Sequence, residues 1–292
     1  MIVSNEKFLS HQLSMPIQVV KQYLGGSIKV RRSVYQFELG KNGKKRLITN
    51  PCDSLKAFLI KVNQFLSSYE LPEYFQGGIK GRDILSNAKI HKDNSHMVSL
   101  DISNYFPSIT KGMVKDLFLR LGFVPALANK MAKICTFEGS LPQGYPTSTT
   151  IANLFFYRKA KKKVERFLKD TDLTLSIWVD DIFISGKRPI TNEEITRFVK
   201  IIEYVGLSIN SDKTKRFFED DRKKVAGVQI TTKIGVPRNY LRDLDYEMYL
   251  FDKKKIPIDT NLFRSLKGKL MHVKRLDEKM YVKLITKYPQ FE

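Results

Sequence analysis

The chain has 292 residues, enough for a sizeable core divided among two or three subdomains, and its 51 Lys and Arg against 30 Asp and Glu leave a net charge of +21. Such an excess implies a polyanionic partner, nucleic acid first; a membrane surface competes, but there is no long apolar run, signal peptide or lipidation motif. Cys52 and Cys135 are isolated, without metal-ligand spacing or a disulfide framework, which argues for a reduced, cytoplasmic setting.

In chain order, residues before about Gly81 read as helices and a basic hairpin. Tyr35, Phe37 and the strand Lys45-Arg46-Leu47-Ile48 flank a turn at Gly40-Lys41-Asn42-Gly43-Lys44. Asn87-Ala88-Lys89-Ile90-His91 follows; a lone His of this kind is usually a surface or satisfied core residue. Met97 to Ile102 alternates, with Val98, Leu100 and Ile102 on one face and Asp101 on the other, and Phe106 comes shortly after. The spacing predicts helices from Thr110 to Gly122 and from Ala126 to Cys135. Pro142-Gln143-Gly144 then breaks the chain before a helical apolar run through Phe156, and Gly144 would let backbone approach a ligand closely.

Leu175 to Ile184 reads as a β-hairpin with Asp180 and Asp181 at its tip. Leu175, Ile177 and Val179 would face a core, and Ser176, Trp178 and Asp180 the other way. Gly206 to Asn210 with Lys213-Thr214 follows, then Val225-Ala226-Gly227, whose glycine suits a bulge. Gly235-Val236-Pro237 is a boundary, after which two or three helices are expected. Over Leu262 to Leu276, the residues Leu262, Leu266, Leu270, Val273 and Leu276 recur at helical spacing. Arg264, Lys267, Lys274 and Arg275 fall opposite, and only Lys269 breaks the pattern. That basic side is either a solvated face or a contact for RNA.

Adjacent anions at a tight turn repel one another unless a cation neutralises them. Oxygen-only ligands of this kind suit magnesium or manganese. If the two strands are neighbours, Asp101, Asp180 and Asp181 can surround two ions roughly 4 Å apart. That is equipment for in-line phosphoryl or nucleotidyl transfer, where catalysis is mostly positioning and charge neutralisation.

Asp101 with Phe106, then Gln143-Gly144, then Val179-Asp180-Asp181, resembles the motif series of reverse transcriptases in order and spacing. Trp178 departs from it, standing where Tyr or a similar residue is usual. Within that family the chain looks most like the bacterial retron enzymes. Asn87-Ala88-Lys89-Ile90-His91 matches their Asn-Ala-x-x-His element, and Val225-Ala226-Gly227 matches their Val-Thr-Gly except at the middle position. The resemblance implies an α+β right-hand polymerase fold, with fingers at residues 1–80 and 109–146, a palm with an antiparallel sheet at 81–108 and 147–235, and a short helical thumb at 236–292. It implies an RNA-directed DNA polymerase with Asp101, Asp180 and Asp181 catalytic and holding two Mg2+ ions, Mn2+ being a substitute, with the Ile102 carbonyl as a further ligand. Arg46, Phe106, Gln143, Gly144 and Lys213 would form the nucleotide pocket, with Arg46 on the triphosphate and Phe106 beneath the sugar. Lys213 either donates a proton to pyrophosphate or is a solvated surface residue. Asn87, His91, Arg264, Lys267, Lys274 and Arg275 would contact RNA.

The implied partners are dNTPs, a cognate structured noncoding RNA that is both template and primer, and its branched, msDNA-type DNA product. They also include an effector protein of an anti-phage defence system and a host ribonuclease H, since the chain is expected to end too soon for a nuclease of its own; no membrane is involved. An intron-type or abortive-infection enzyme, or a nucleic-acid scaffold of a toxin–antitoxin assembly, are the rival readings.

Overall fold

The structure, a computed structural model, describes residues 2–25, 32–39, 44–231, 234–254 and 260–292, and for 32–39 and 44–46 only the backbone. Helices α1 (Glu6–Gln12) and α2 (Ile17–Gly25) lead into an antiparallel hairpin of β1 (Arg32–Leu39) and β2 (Lys44–Pro51), in which Phe37 pairs with Arg46. The expected turn at 40–43 lies outside the described residues. Then come α3 (Asp53–Leu66), α4 (Ile84–Ile90), β3 (His96–Asp101), the single turn α5 (Tyr105–Ser108), α6 (Lys111–Arg120), α7 (Pro125–Cys135) and α8 (Ser148–Thr171). A hairpin of β4 (Thr174–Trp178) and β5 (Asp181–Gly186) is followed by α9 (Asn192–Val205), a 3-10 turn at Ser211–Lys213, β6 (Lys215–Phe217), β7 (Lys223–Val225), β8 (Val228–Ile230) and β9 (Ile234–Gly235). Helices α10 (Arg238–Lys253), α11 (Asn261–Leu276) and α12 (Glu278–Lys287) complete an α+β chain.

The chain divides into two compact units. The first takes residues 1–82, 98–184 and 190–215, the second 83–97, 185–189 and 216–292. The four-stranded sheet has the order β4-β5-β3-β6, and the division falls inside β3, β5 and β6. A continuous core in the first unit runs from Val3 to Leu207 and buries Phe58, Phe75, Phe118, Phe156, Phe167 and Phe198 fully. Both segments read as fingers, together with much of the palm reading between Val98 and Leu207, therefore feed one core.

Local chemistry accounts for the helices that frame it. In α3, Leu55, Phe58, Leu59, Val62, Phe65 and Leu66 are buried, an apolar stripe at helical period. In α9 a Thr191–Glu194 capping box starts the helix and Gly206, at φ +91°, ends it. The alternation expected of β4 does not hold, because Ser176 is buried along with Leu175 and Ile177, as are Ile182, Phe183 and Ile184 in β5. Strands covered on both faces have no solvent side toward which to alternate.

In the second unit, Leu244, Met248 and Phe251 of α10 pack with Leu266, Leu270 and Val273 of α11 and with Tyr281 and Leu284 of α12. Of the predicted apolar face of α11, Leu262 is 45% exposed and lies outside that core. In that first turn it is the next residue, Phe263, that packs on the core, against Phe251 and Phe291. β7, β8 and β9 form a separate antiparallel sheet.

Candidate active site

β4 and β5 are joined by only two residues, Val179 and Asp180, and Val179 sits at φ +59°. A hairpin with positive φ at its first turn residue usually has glycine there. A β-branched residue in that region is strained by about 1–3 kcal/mol and persists only where its surroundings fix it. Those surroundings are visible. The segment Tyr74–Gly77 runs beside β4, with the Ile177 N–H donating to the Tyr74 carbonyl (2.6 Å) and the Gln76 and Gly77 N–H groups donating to the Ile177 carbonyl (2.8 and 3.2 Å). A Cβ on Gly77 would lie 2.6 Å from the Val179 nitrogen, so only glycine lets the segment close on the turn. The buried Asn153 of α8 donates from Nδ2 to the Gly77 carbonyl at 2.9 Å and braces it from behind.

β3 delivers its acid to this turn. The Ile102 N–H donates to the Asp180 carbonyl at 2.9 Å, and on the other side the Asn210 N–H donates to the Asp101 carbonyl and the Ser103 N–H to the Ser208 carbonyl, both at 2.8 Å. Asp101, 9% exposed, pairs through Oδ1 with Lys213 Nζ at 2.5 Å. Burial, then the negative charges of Asp180 and Asp101, push the Asp181 carboxyl up to about 6, against the opposing pull of Lys213 and Lys215. The Tyr105 phenol is raised by burial and then by the Asp180 charge, and its hydroxyl has no hydrogen-bond partner among the described residues. Asp101, Asp180, Asp181 and Lys213 are thus brought into one electrostatic group.

Among the described residues, no group of three or more His, Cys, Asp or Glu is arranged as a ready metal site. The donor chemistry nevertheless fits a hard divalent cation. The candidate donors are oxygen-only, and Asp181 is raised by burial first and then by the charges of Asp180 and Asp101, which Lys213 and Lys215 offset only in part.

The remaining pocket residues stand on two further elements. Asn104, at φ +45°, turns the chain out of β3, so that Phe106 is half-buried with its ring 5.5 Å from that of Tyr105. Gln143 is half-buried, and its carbonyl accepts the Thr49 N–H of β2 at 2.8 Å. Gly144 has φ +111°, and a Cβ there would meet the Thr49 carbonyl oxygen at 2.5 Å. The close approach expected between Gly144 and a ligand is therefore made to the backbone of β2. The loop is locked to the strand that carries Arg46, whose side chain lies outside the described residues.

The residues expected to touch RNA behave differently. Asn87 and His91 are fully buried, so neither side chain reaches a nucleic acid from the surface. His91 Nδ1 lies 2.7 Å from Ser185 Oγ, and both polar atoms of Asn87 lack partners among the described residues. The motif packs α4 into the second unit, and a capping box of Asp83 with Ser86 starts that helix. On α11, Arg275 pairs with Asp83, Lys267 donates to the Glu292 carbonyl at 2.9 Å, and Lys274 lies 4.8 Å from the Tyr281 ring centre. Lys269, which broke the pattern, pairs with Glu247 of α10.

Sequence reading overlooked Gly77 and Asn153, which have no periodic or charge signature. It also overlooked a cleft of about 540 Å³ in the second unit lined by Arg222, Lys224, Arg238 and Arg242. The signal for that cleft was present, as the run Arg222-Lys223-Lys224 entering β7 and an i,i+4 pair, Arg238 and Arg242, on α10.

Among the described residues, no helix is long and apolar enough to cross a membrane. The chain is 34% identical over 233 residues to the retron Se72 reverse transcriptase of Salmonella heidelberg, covering 75% of this chain and 61% of that protein's length. It is 27% identical over 267 residues to the retron Ec86 reverse transcriptase of Escherichia coli, covering 90% and 82%, and 26% identical over 264 residues to the retron Mx162 reverse transcriptase of Myxococcus xanthus, covering 78% and 54%. The profile of the reverse transcriptase (RNA-dependent DNA polymerase) family matches residues 39–230, from the end of β1 to the end of β8 and with every acid of the turn inside it, and the chain belongs to that family.

Proposed function

We propose that the protein is a bacterial, cytoplasmic retron-type RNA-directed DNA polymerase. It copies a cognate structured noncoding RNA, priming from a 2′-hydroxyl within that RNA, and leaves a branched RNA–DNA product used with an effector protein in anti-phage defence. The first unit then comprises the fingers and most of the palm, the second the rest of the palm at 83–97, 185–189 and 216–235, and α10–α12 the thumb. The observation that carries the reading is the Ile102–Asp180 hydrogen bond, which joins the Asp101 strand to the strained Asp180-Asp181 turn. A binding scaffold has no use for three anions crowded in a chain of net charge +21.

In this reading Asp101, Asp180 and Asp181, with the Ile102 carbonyl, hold two magnesium ions, which when bound offset the negative charge of the reacting oxygens and triphosphate. Lys213, paired with Asp101, carries the proton that goes to pyrophosphate. Phe106 fills the space a ribose 2′-hydroxyl needs. Gln143 and Gly144, locked to β2, line the nucleotide pocket, and Arg46 pairs with phosphate oxygens through its planar fork. Arg264 and Lys274, both exposed, are the α11 cations best placed to hold RNA; Lys267 and Arg275 keep their internal partners. A host ribonuclease H removes the template.

The test is recovery of the nucleic acid that copurifies with the protein from its native host, followed by sequencing and branch mapping. A DNA joined through a 2′–5′ linkage to one RNA species is the expected result. Unbranched DNA from many templates would favour an intron-type or abortive-infection enzyme, and no DNA at all would favour the scaffold.

A further inference from the structure

Helix α8 carries a second basic surface. From Arg158 to Lys163 every residue is cationic except the buried Ala160. Together with Arg120 at the end of α6, these side chains line a cleft of about 870 Å³ in which Glu70 is the sole acid. Three tyrosines share the lining: Tyr69, Tyr157 and Tyr204, the last 53% exposed. Lys163 Nζ lies 4.4 Å from the Tyr204 ring centre, Lys161 5.5 Å from that of Tyr157, and the Arg158 guanidinium 5.7 Å from that of Tyr69.

The cleft is separate from the catalytic turn. The start of α8 is at the turn, where Thr149 packs on Gly78 and Asn153 bonds Gly77. Lys162 lies 13 residues beyond Thr149, or about 20 Å along the helix at 1.5 Å per residue. A solvated helix face ordinarily mixes signs of charge, and here, among the described residues, Lys161 is the lining cation with an acidic partner within 4.0 Å, Glu165 at 3.9 Å. Lys159 is spent on the Val205 carbonyl, at 3.0 Å. Uncompensated cations interleaved with tyrosine rings in a concave cleft suit a flexible polyanion whose bases can stack, because every base offers a π-face and every nucleotide a phosphate. A duplex, with its bases turned inward, would leave those rings unused.

We infer that this cleft binds single-stranded RNA, namely the unpaired template that has not yet reached the catalytic turn. The inference rests on the polymerase reading for the identity of the strand, since the DNA being made leaves paired to its template. Lys161, Lys162 and Lys163 hold phosphates, and Tyr204 stacks a base.

The test compares the unaltered protein with a Lys161→Glu, Lys162→Glu, Lys163→Glu variant and with Tyr204→Ala and Tyr204→Phe. Fluorescence anisotropy measures affinity for a labelled oligouridylate, an oligothymidylate and a blunt RNA duplex over a salt series. The triple variant should bind oligouridylate at least about tenfold more weakly, with a salt slope shallower by about 2, at roughly 0.7 per phosphate contact on single strands. Tyr204→Ala should lose about tenfold, on the scale of one stacked base, and Tyr204→Phe should restore it. Blunt-duplex affinity should not move. In primer extension, KM should rise for a template with a long single-stranded overhang and stay constant for one with a short overhang. Unchanged oligouridylate affinity and slope would make the face merely solvated, equal loss on the duplex would make it a duplex site, and loss confined to oligothymidylate would assign it to DNA; each overturns the inference. Failure of the unaltered protein to extend any primer would instead sink the polymerase reading, while a cleft-dependent affinity for RNA would still stand.

Discussion

Two of the molecule's charge concentrations, both evident in the sequence, are treated differently by the fold: the carboxylate turn of the first unit and the basic helix α11 of the second. On α11 the cations have been given work inside the protein, since Arg275 meets Asp83, Lys269 meets Glu247 and Lys267 meets the Glu292 carbonyl. At the turn, burial and then the charges of Asp180 and Asp101 push the Asp181 carboxyl up to about 6 despite Lys213 and Lys215, and the turn itself holds a valine at φ +59°. Charge that the fold compensates supports structure; charge it leaves unbalanced, at a cost in strain, calls for a ligand.

The sharpest way to break this contrast is Asp180→Asn. Primer extension with magnesium should fall by at least about 10³-fold, since several kcal/mol of charge stabilisation is lost from the transition state. RNA binding should be nearly intact, and near-normal extension would remove Asp180 from the chemistry. Gly77→Ala should come next, destabilising the protein by about 2–4 kcal/mol in urea unfolding and lowering synthesis, because the new Cβ collides with backbone at the turn. The control is Gly235→Ala, where nothing lies within 4 Å of the added carbon. Equal effects at both glycines would mean that the turn is not braced by close approach.

His91 probes the second unit through pH. Burial lowers its pKa from 6.5 to about 4, so below pH 6.5 the unfolded chain takes a proton that the folded chain refuses. Stability should therefore be complete above pH 6.5 and decline as pH falls toward 4, by about 3 kcal/mol at the low end. His91→Gln should flatten that dependence, and an unchanged pH profile in the variant would show that other groups govern it. Phe106→Val should raise ribonucleotide over deoxyribonucleotide incorporation by about 10–100-fold, the worth of 1–3 kcal/mol of pocket shape. A parallel fall in both activities would make Phe106 only core. The smallest effect belongs to Arg275→Ala, whose exposed pair with Asp83 should be worth at most about 1 kcal/mol. Its RNA affinity should match that of the unaltered protein; a clear loss in a binding titration would return Arg275 to the RNA-contacting set.

Much of the arrangement was legible without coordinates. Spacing and hydrophobic period place α6, α7 and α11, and two runs of apolar residues around adjacent acids read as a hairpin. Those signals are local, set by the spacing of neighbours along the chain. Which strand lies beside that hairpin is not local. Asp101 reaches Asp180 because an Ile102 N–H finds a carbonyl across the sheet, and Gly77 and Asn153, silent in the sequence, decide whether the turn can hold its strained valine. The same holds for charge. The sequence by itself determined that the chain is strongly basic and carries its acids in motifs, but only the tertiary structure decided which cations are spent on internal partners, as on α11, and which line an open cleft, as on α8. Compensation depends on distances between residues far apart in the chain, and spacing along the chain does not encode those distances.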